Sequence, residues 1–365
     1  MKRSSVSSAG ESRVLAPSAQ RRNVLGDVLR RGLPPLLALL LGLGLWIASD
    51  IAVPAALAPY TGRLQGFVTI FLGIFIEALP FLMAGVLVSS AIHLFVTPER
   101  IQELSPRNPV LAAFAGSLLG MAFPVCECGS IPATRRLLAK GAPLPAGIAF
   151  ALAAPVINPI VLVSTFVAFG AWHIVAWRFG LTILIAVIIG VLVGLAPRRE
   201  MILAPAALGL EDLDADAPAY TPDPVEAGGF FGPVRQVLAH ANTEFFEMSR
   251  YLIAGALLAA GLQTFVSQQA LTALGGGPVL SVVVMILLAA VLSICSTVDS
   301  FIALSFVNTF TPGAVMAFLV FGPMIDIKST LLLTTTFNRR TVAIIILLCF
   351  QLTVLAGVVM NLFLV

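Results

Sequence analysis

Long apolar runs with almost no charge recur along this 365-residue chain, at roughly residues 33–58, 66–96, 109–123, 148–170, 179–195, 245–266, 279–294, 313–334 and 342–365. They constrain the fold more than any other feature. A run of about 18 such residues or more is a candidate membrane-spanning helix. Inside lipid the backbone must satisfy its own hydrogen bonds, which leaves helices or closed barrels. The expected fold class is therefore an all-α polytopic membrane protein. Composition agrees, with 59% hydrophobic and 11% charged residues, where a soluble domain carries about 25% charged. The net charge of +3 is small and the basic residues sit at run ends, so nucleic acid is not an expected partner and the lipid bilayer is. The four cysteines, Cys126, Cys128, Cys295 and Cys349, lie in or beside apolar runs. Their spacing matches neither a disulfide framework nor a closed zinc site. No cofactor is expected, and a metal is left open.

Two of these runs break in ways a simple spanning helix does not. The stretch F-P-V-C-E-C-G-S-I-P carries Pro124, Cys126, Cys128 and Pro132, and A-P-V-I-N-P carries Pro155, Asn158 and Pro159. Proline removes a backbone donor and clashes with the preceding turn. Broken backbone at membrane depth is tolerated where it is covered by protein or lines a polar cavity. These prolines, with Pro323, are read as helix breaks around a site inside the membrane. The competing reading is that they only end helices and that Cys126-Glu127-Cys128 is a solvent loop.

Composition divides the chain into a disordered basic cytosolic tail over 1–33, an additional transmembrane helix over 34–58, a first membrane repeat over 66–195, an acidic Pro-rich linker over 196–240 and a second membrane repeat over 241–365. The tail holds seven Lys or Arg against two acids, and the linker seven acids from Glu200 to Glu226. A cleaved signal peptide is the rival to the 34–58 helix. The halves align at an offset of 168–170: Glu77 falls on Glu247, Pro155 on Pro323, Asn158 on Asp326, and Cys295 opposite Glu127. Paired breaks in a duplicated unit are the signature of a secondary transporter with its site between the repeats.

Charge then selects a topology. If the runs ending at Cys126 and Cys295 enter and return on one side, 17 Lys or Arg lie on the cytosolic side, only Arg63 and Arg178 lie outside, and the N-terminus is cytosolic. The positive-inside rule favours that arrangement. It makes the repeats inverted, each with a re-entrant hairpin and a broken helix.

Ionisable groups inside spans are costly and are functional candidates by default. Glu77, Glu247 and Asp299 are therefore candidates for proton or ion coupling, with a Glu247–Arg250 pair one helical turn apart as the structural alternative. Asn158 and Asp326 sit at the breaks, where they either bind substrate or hydrogen-bond locally; Asp326 and Lys328 also suit a plain pair. Cys126 and Cys128 converge in a tight turn, with Cys295 approaching across the repeat axis. Thiolates select soft, thiophilic species; a redox pair and inert packing are the alternatives. His93, His173 and Cys349 suggest no partner.

The motif P-V-C-E-C-G-S-I-P, followed by G-x-P-x-x-A-x-A-F-x-L-A-x-P-V-I-N-P, resembles the broad bacterial permease family that includes the organoarsenical efflux permeases (ArsP-like and YraQ-like proteins). The similarity runs from about Gly66 to the C-terminus. It implies a permease of the bacterial inner membrane and, as substrate class, a small thiophilic solute such as a trivalent organoarsenical, with Cys126, Cys128 and the P-V-I-N-P break as the matching positions. The expected function is export by alternating access, not an enzymatic activity. A membrane thiol oxidoreductase using Cys126 and Cys128, or a membrane subunit of a larger complex, remains the alternative, and a homo-oligomer is left open.

Overall fold

A computed structural model describes residues 58–95, 101, 103, 105–122, 126–195, 201–204, 232–265 and 277–363. The basic tail, the 34–58 helix up to residue 57, Pro124 and most of the acidic linker lie outside the described residues, as does the side chain of His93. The described residues are overwhelmingly helical, in keeping with the all-α polytopic membrane fold, and they contain five helical segments long and apolar enough to cross a membrane.

In chain order the helices are α1 (Ala58–Phe95), α2 (Pro109–Ala122), α3 (Glu127–Ala139), α4 (Leu144–Ala153), α5 (Pro159–Phe169), α6 (Trp172–Gly194), α7 (Gly232–Phe265), α8 (Leu280–Leu292), α9 (Asp299–Leu304), α10 (Pro312–Met324), α11 (Ile327–Leu333) and α12 (Arg339–Phe363). Before and after the linker the order is the same: a long helix, a short one, a short one behind a thiol-bearing turn, a helix in two pieces, and a long helix. At about 1.5 Å per residue, α2 and α3 reach only about 20 Å each, short of a hydrocarbon core of about 30 Å.

The interruptions have local causes. After α4, Ala154 to Ile157 form a turn, and Asn158 then caps α5 by accepting from Val161 N at 2.9 Å, with Pro159 as the first helical residue. In the second half Asp326 caps α11, accepting from Ser329 N while Asp326 N donates to Ser329 Oγ at 2.8 Å. Gly170 closes α5 at φ 66, a left-handed position that suits glycine.

Two proline assignments need correction. Pro132 and Pro323 lie inside α3 and α10 and do not break them. Pro132 lies one turn after Cys128, so it leaves the Cys128 carbonyl without its helical N–H yet does not end α3. Pro323 is the penultimate residue of α10, and the break follows at Ile325–Asp326. The linker boundary also moves. Helix α7 begins at Gly232, inside the segment read as linker, and Leu203 bridges to Phe337. Proline second in a helix is tolerated because its missing N–H would be unpaired there.

Packing sets the broken helices at the centre. In its most apolar stretch Pro312–Leu333 is 83% buried, against 28–39% for the other four spans. Helix α4 packs between α2 and α6, and α10 between α8 and α12. The two halves meet along α1 and α7 and along α6 and α12, and each half's thiol-turn helix reaches the other half's broken helix: α3 meets α11, and α9 meets α5. Large apolar side chains such as Ile76, Val163, Val167, Leu355 and Leu362 face outward, as a lipid-facing surface requires.

Two glycines set the approach of the central elements. A Cβ on Gly85 of α1 would lie 2.0 Å from the Gly129 Cα of α3, and one on Gly255 of α7 would lie 2.9 Å from the Lys328 Cα of α11. Both glycines therefore let backbone touch backbone, bringing α3 and α11 against the long helices.

Candidate functional site

The site grows from the turn in front of α3. Cys126 is extended, at φ −80 and ψ −177, and its carbonyl accepts from Gly129 N at 3.0 Å and Ser130 N at 2.9 Å. This starts the helix at Glu127, whose carboxylate in the first turn complements the positive helix end. Cys295 plays the same part before α9, its carbonyl accepting from Val298 N at 3.0 Å and Asp299 N at 3.1 Å. The structural counterpart of Cys295 is therefore Cys126, one residue away from the Glu127 register of the sequence alignment.

The thiols of Cys126 and Cys128 interact directly, and Cys295 lies within electrostatic reach of Cys126 and Glu127. All three are free and buried, at 5%, 1% and 5% exposure. Glu127 is buried too, so Cys126-Glu127-Cys128 is not a solvent loop. Glu127 Oε1 accepts from Lys328 Nζ at 3.3 Å, and the same ammonium stands 3.6 Å from Asp326 Oδ2. Lys328 lies within electrostatic reach of Cys128 and Cys295. Ser293, left-handed at φ 46 at the end of α8, accepts from Ile327 N at 3.2 Å and ties the start of α11 to the second thiol turn.

A second buried cluster lies between α9 and the first half. Arg178 of α6 is fully buried and donates from Nη2 to Asp299 Oδ2 at 2.5 Å, and from Nη1 to Thr165 Oγ1 at 2.8 Å and Ser300 Oγ at 2.7 Å. Ser300 also donates to Asp299 Oδ1 at 3.2 Å. Arg178, counted above as an outer-side charge, is a buried partner for a carboxylate.

The third cluster joins α3 to α7. Arg135 pairs with Glu247 at 2.8 Å, not Arg250, which is exposed. Arg136 faces Glu244 at 3.6 Å, and Ser89 donates to Glu244 at 2.9 Å. In the turn after α3, Lys140 has its ammonium pKa lowered by partial burial and by Arg136. Glu77 is half-buried and makes no hydrogen bond or ion pair with a described residue.

The positions expected from sequence thus separate. Cys126, Cys128, Cys295 and Asp326 come together; Asn158 is a helix cap; Asp299 and Glu247 are engaged by arginines. Glu127 and Glu244 have no role in the sequence reading; Lys328 keeps its expected place by Asp326 and adds Glu127, and Arg178 is read from sequence only as a charge. Lys328 and Arg178 did carry a signal, an ionisable group within an apolar run. Cavities of about 620 Å³ and about 390 Å³ lie at Met201–Arg340 and beside His173 and Trp177, and the thiols line neither. The thiol cluster is enclosed.

Comparison with known proteins gives a consistent picture. The sequence profile of the ArsP_1 family, described as "Predicted permease", matches residues 63–362. The chain is 46% identical over 279 residues to "UPF0718 protein YcgR" of Bacillus subtilis, covering 76% of this chain and 91% of the relative. It is 38% identical over 272 residues to a protein of Streptococcus mutans named "Putative two-component membrane permease complex subunit", covering 74% of this chain and 87% of the relative. No solved structure matches the chain.

Proposed function

Because the chain belongs to the ArsP_1 permease family, we propose that it exports a small thiophilic solute, such as a trivalent organoarsenical, across the bacterial inner membrane by alternating access. The observation that carries this reading is a set of three buried free thiols from both halves of the chain, two interacting directly and the third within electrostatic reach, near a buried carboxylate–ammonium cluster. Soft sulfur ligands favour soft cargo over hard ions. The enclosed thiols would correspond to an occluded state. The matching element order of the halves supports an inverted repeat in which one half moves against the other, and α2 and α3 are short enough for a re-entrant hairpin. The Arg135, Arg136 and Lys140 group at the far end of α3 supports a cytosolic position for that end and for the N-terminus. Of the acids assigned to ion coupling, Glu77 has no partner among the described residues, and Glu77→Gln tested for lost dependence of flux on a pH gradient examines that role.

The test of the main reading is uptake of phenylarsine oxide into inside-out vesicles or proteoliposomes. Cys126→Ser and Cys128→Ser should abolish it and Cys295→Ser weaken it, at matched protein abundance. Parental flux in the triple Ser variant would remove the thiols from the site. A second reading, a membrane subunit of a larger complex, is favoured by the name of the Streptococcus relative. It predicts flux only when a partner protein is added. A thiol oxidoreductase would instead show Cys126 and Cys128 cycling through a disulfide.

A further inference from the structure

Three buried oxygen atoms on chain neighbours of the thiols and across the Lys328 ammonium have no hydrogen-bond partner among the described residues: Glu127 Oε2, Ser296 Oγ and Asp326 Oδ2. Their residues are only 3%, 1% and 3% exposed. The other oxygen of each carboxylate is used, Glu127 Oε1 by Lys328 and Asp326 Oδ1 by the N–H of Ser329. The Lys328 ammonium stands 3.6 Å from Asp326 Oδ2, beyond hydrogen-bond length. An unpaired buried acceptor is costly, and more so when charged, so each one that a native fold retains calls for an explanation. Two carboxylates against one ammonium also leave the cluster formally anionic. An oxyanion would meet repulsion here and find few donors. A solute bringing hydrogen-bond donors and one soft atom would satisfy the oxygens and the sulfurs together.

The hydrated form of a trivalent organoarsenical has that character: it is neutral, with two hydroxyl donors on the arsenic itself. We infer that Glu127 and Asp326 are specificity-determining residues that accept hydrogen bonds from the arsenic-bound hydroxyls of a neutral trivalent cargo and thereby exclude pentavalent oxyanions. This rests on the thiol-site reading above. When one thiol replaces one hydroxyl, an arsenic–sulfur bond forms and one arsenic–oxygen bond breaks, while the hydroxyl that stays on arsenic keeps its hydrogen bond to a carboxylate. The thiol proton joins the departing hydroxide, which leaves as water. Arsenic stays trivalent, no net charge is created, and the return of water releases the cargo. Carboxylates that hold the hydroxyls beside the sulfurs keep the leaving groups where the thiol protons are delivered.

The experiment measures protection of Cys126 and Cys128 in the purified full chain from N-ethylmaleimide, read by mass spectrometry. The probes are phenylarsine oxide, which hydrates to the dihydroxide, methylmercury chloride, which binds thiols without hydroxyl donors, and methylarsonate, a pentavalent anion. In the parent protein the first two should protect and the third should not. Glu127→Gln retains an acceptor for Lys328, and Asp326→Asn retains the helix cap, so both should fold. Each should raise the phenylarsine oxide concentration for half-protection about tenfold while leaving that of methylmercury within about twofold. Equal shifts for both probes, no shift for either, or protection by methylarsonate would overturn the inference with the thiol site intact. If neither thiol-binding probe protects the parent, the thiol-site reading falls and the inference with it.

Discussion

The clusters at the two thiol turns occupy comparable positions yet are finished differently. Behind Cys295, Asp299 has both oxygens bonded, one to Arg178 and one to Ser300, and Arg178 adds Thr165 and Ser300. The charges there match one to one. Behind Cys126, Glu127 and Asp326 share one ammonium and each keeps an unbonded oxygen. A matched, nearly saturated pair holds α9 to the first half. An unmatched one near thiols carries an energetic cost beyond what the α11 cap and the Lys328 contact need, and such excess cost is the mark of a group kept for something else.

The largest effect should come from breaking the matched pair. Arg178→Met leaves Asp299 buried without its partner and should cost about 3–5 kcal/mol, seen as a lower unfolding midpoint in detergent and poorer membrane abundance. Arg178→Met with Asp299→Leu should recover most of the loss. Glu127→Gln should cost about 1 kcal/mol or less, since the amide still accepts from Lys328 and one buried charge is gone. If the two clusters prove equally sensitive, both are structural.

Next in size are the glycine contacts. Gly85→Ala places a Cβ 2.0 Å from backbone and should cost about 1–3 kcal/mol as α3 is pushed away. Gly255→Ala, with 2.9 Å to the Lys328 Cα, should cost less in thermal unfolding but displace Lys328 from Glu127. Gly73, with nothing within 4 Å, is the control, and Gly73→Ala should stabilise its helix by up to about 1 kcal/mol.

The caps come third. Asn158→Ala and Asp326→Ala should each cost about 1 kcal/mol in the same unfolding assay, whereas Asp326→Asn should be near neutral because asparagine caps as well as aspartate. The contrast separates the cap from the charge at Asp326. Smallest is the pair of acids that align in the two halves. Glu247→Gln loses a partly exposed ion pair worth about 0–1 kcal/mol, and Glu77→Gln, with no described partner to lose, should change stability by less than about 0.5 kcal/mol.

Much of this arrangement was legible in the residues themselves. Uncharged runs of this length in the described region point to helices, and P-V-I-N-P carries its own break and its own cap. The two thiols of C-E-C lie two residues apart, so one tight turn suffices to bring them together. Those features depend on backbone chemistry within a few residues, and local sequence determines them. The partners of the charges were not legible. Glu127 meets Lys328 across 201 residues of chain, Glu247 takes Arg135 over Arg250 on its own helix, and Arg178 turns inward to Asp299. In a helix that is apolar on its lipid face and its core face alike, no stripe records which side points inward. Rotation and depth are then decided by close backbone contacts, such as Gly85 on Gly129 and Gly255 on Lys328, and only the packed tertiary structure could select which buried charge meets which.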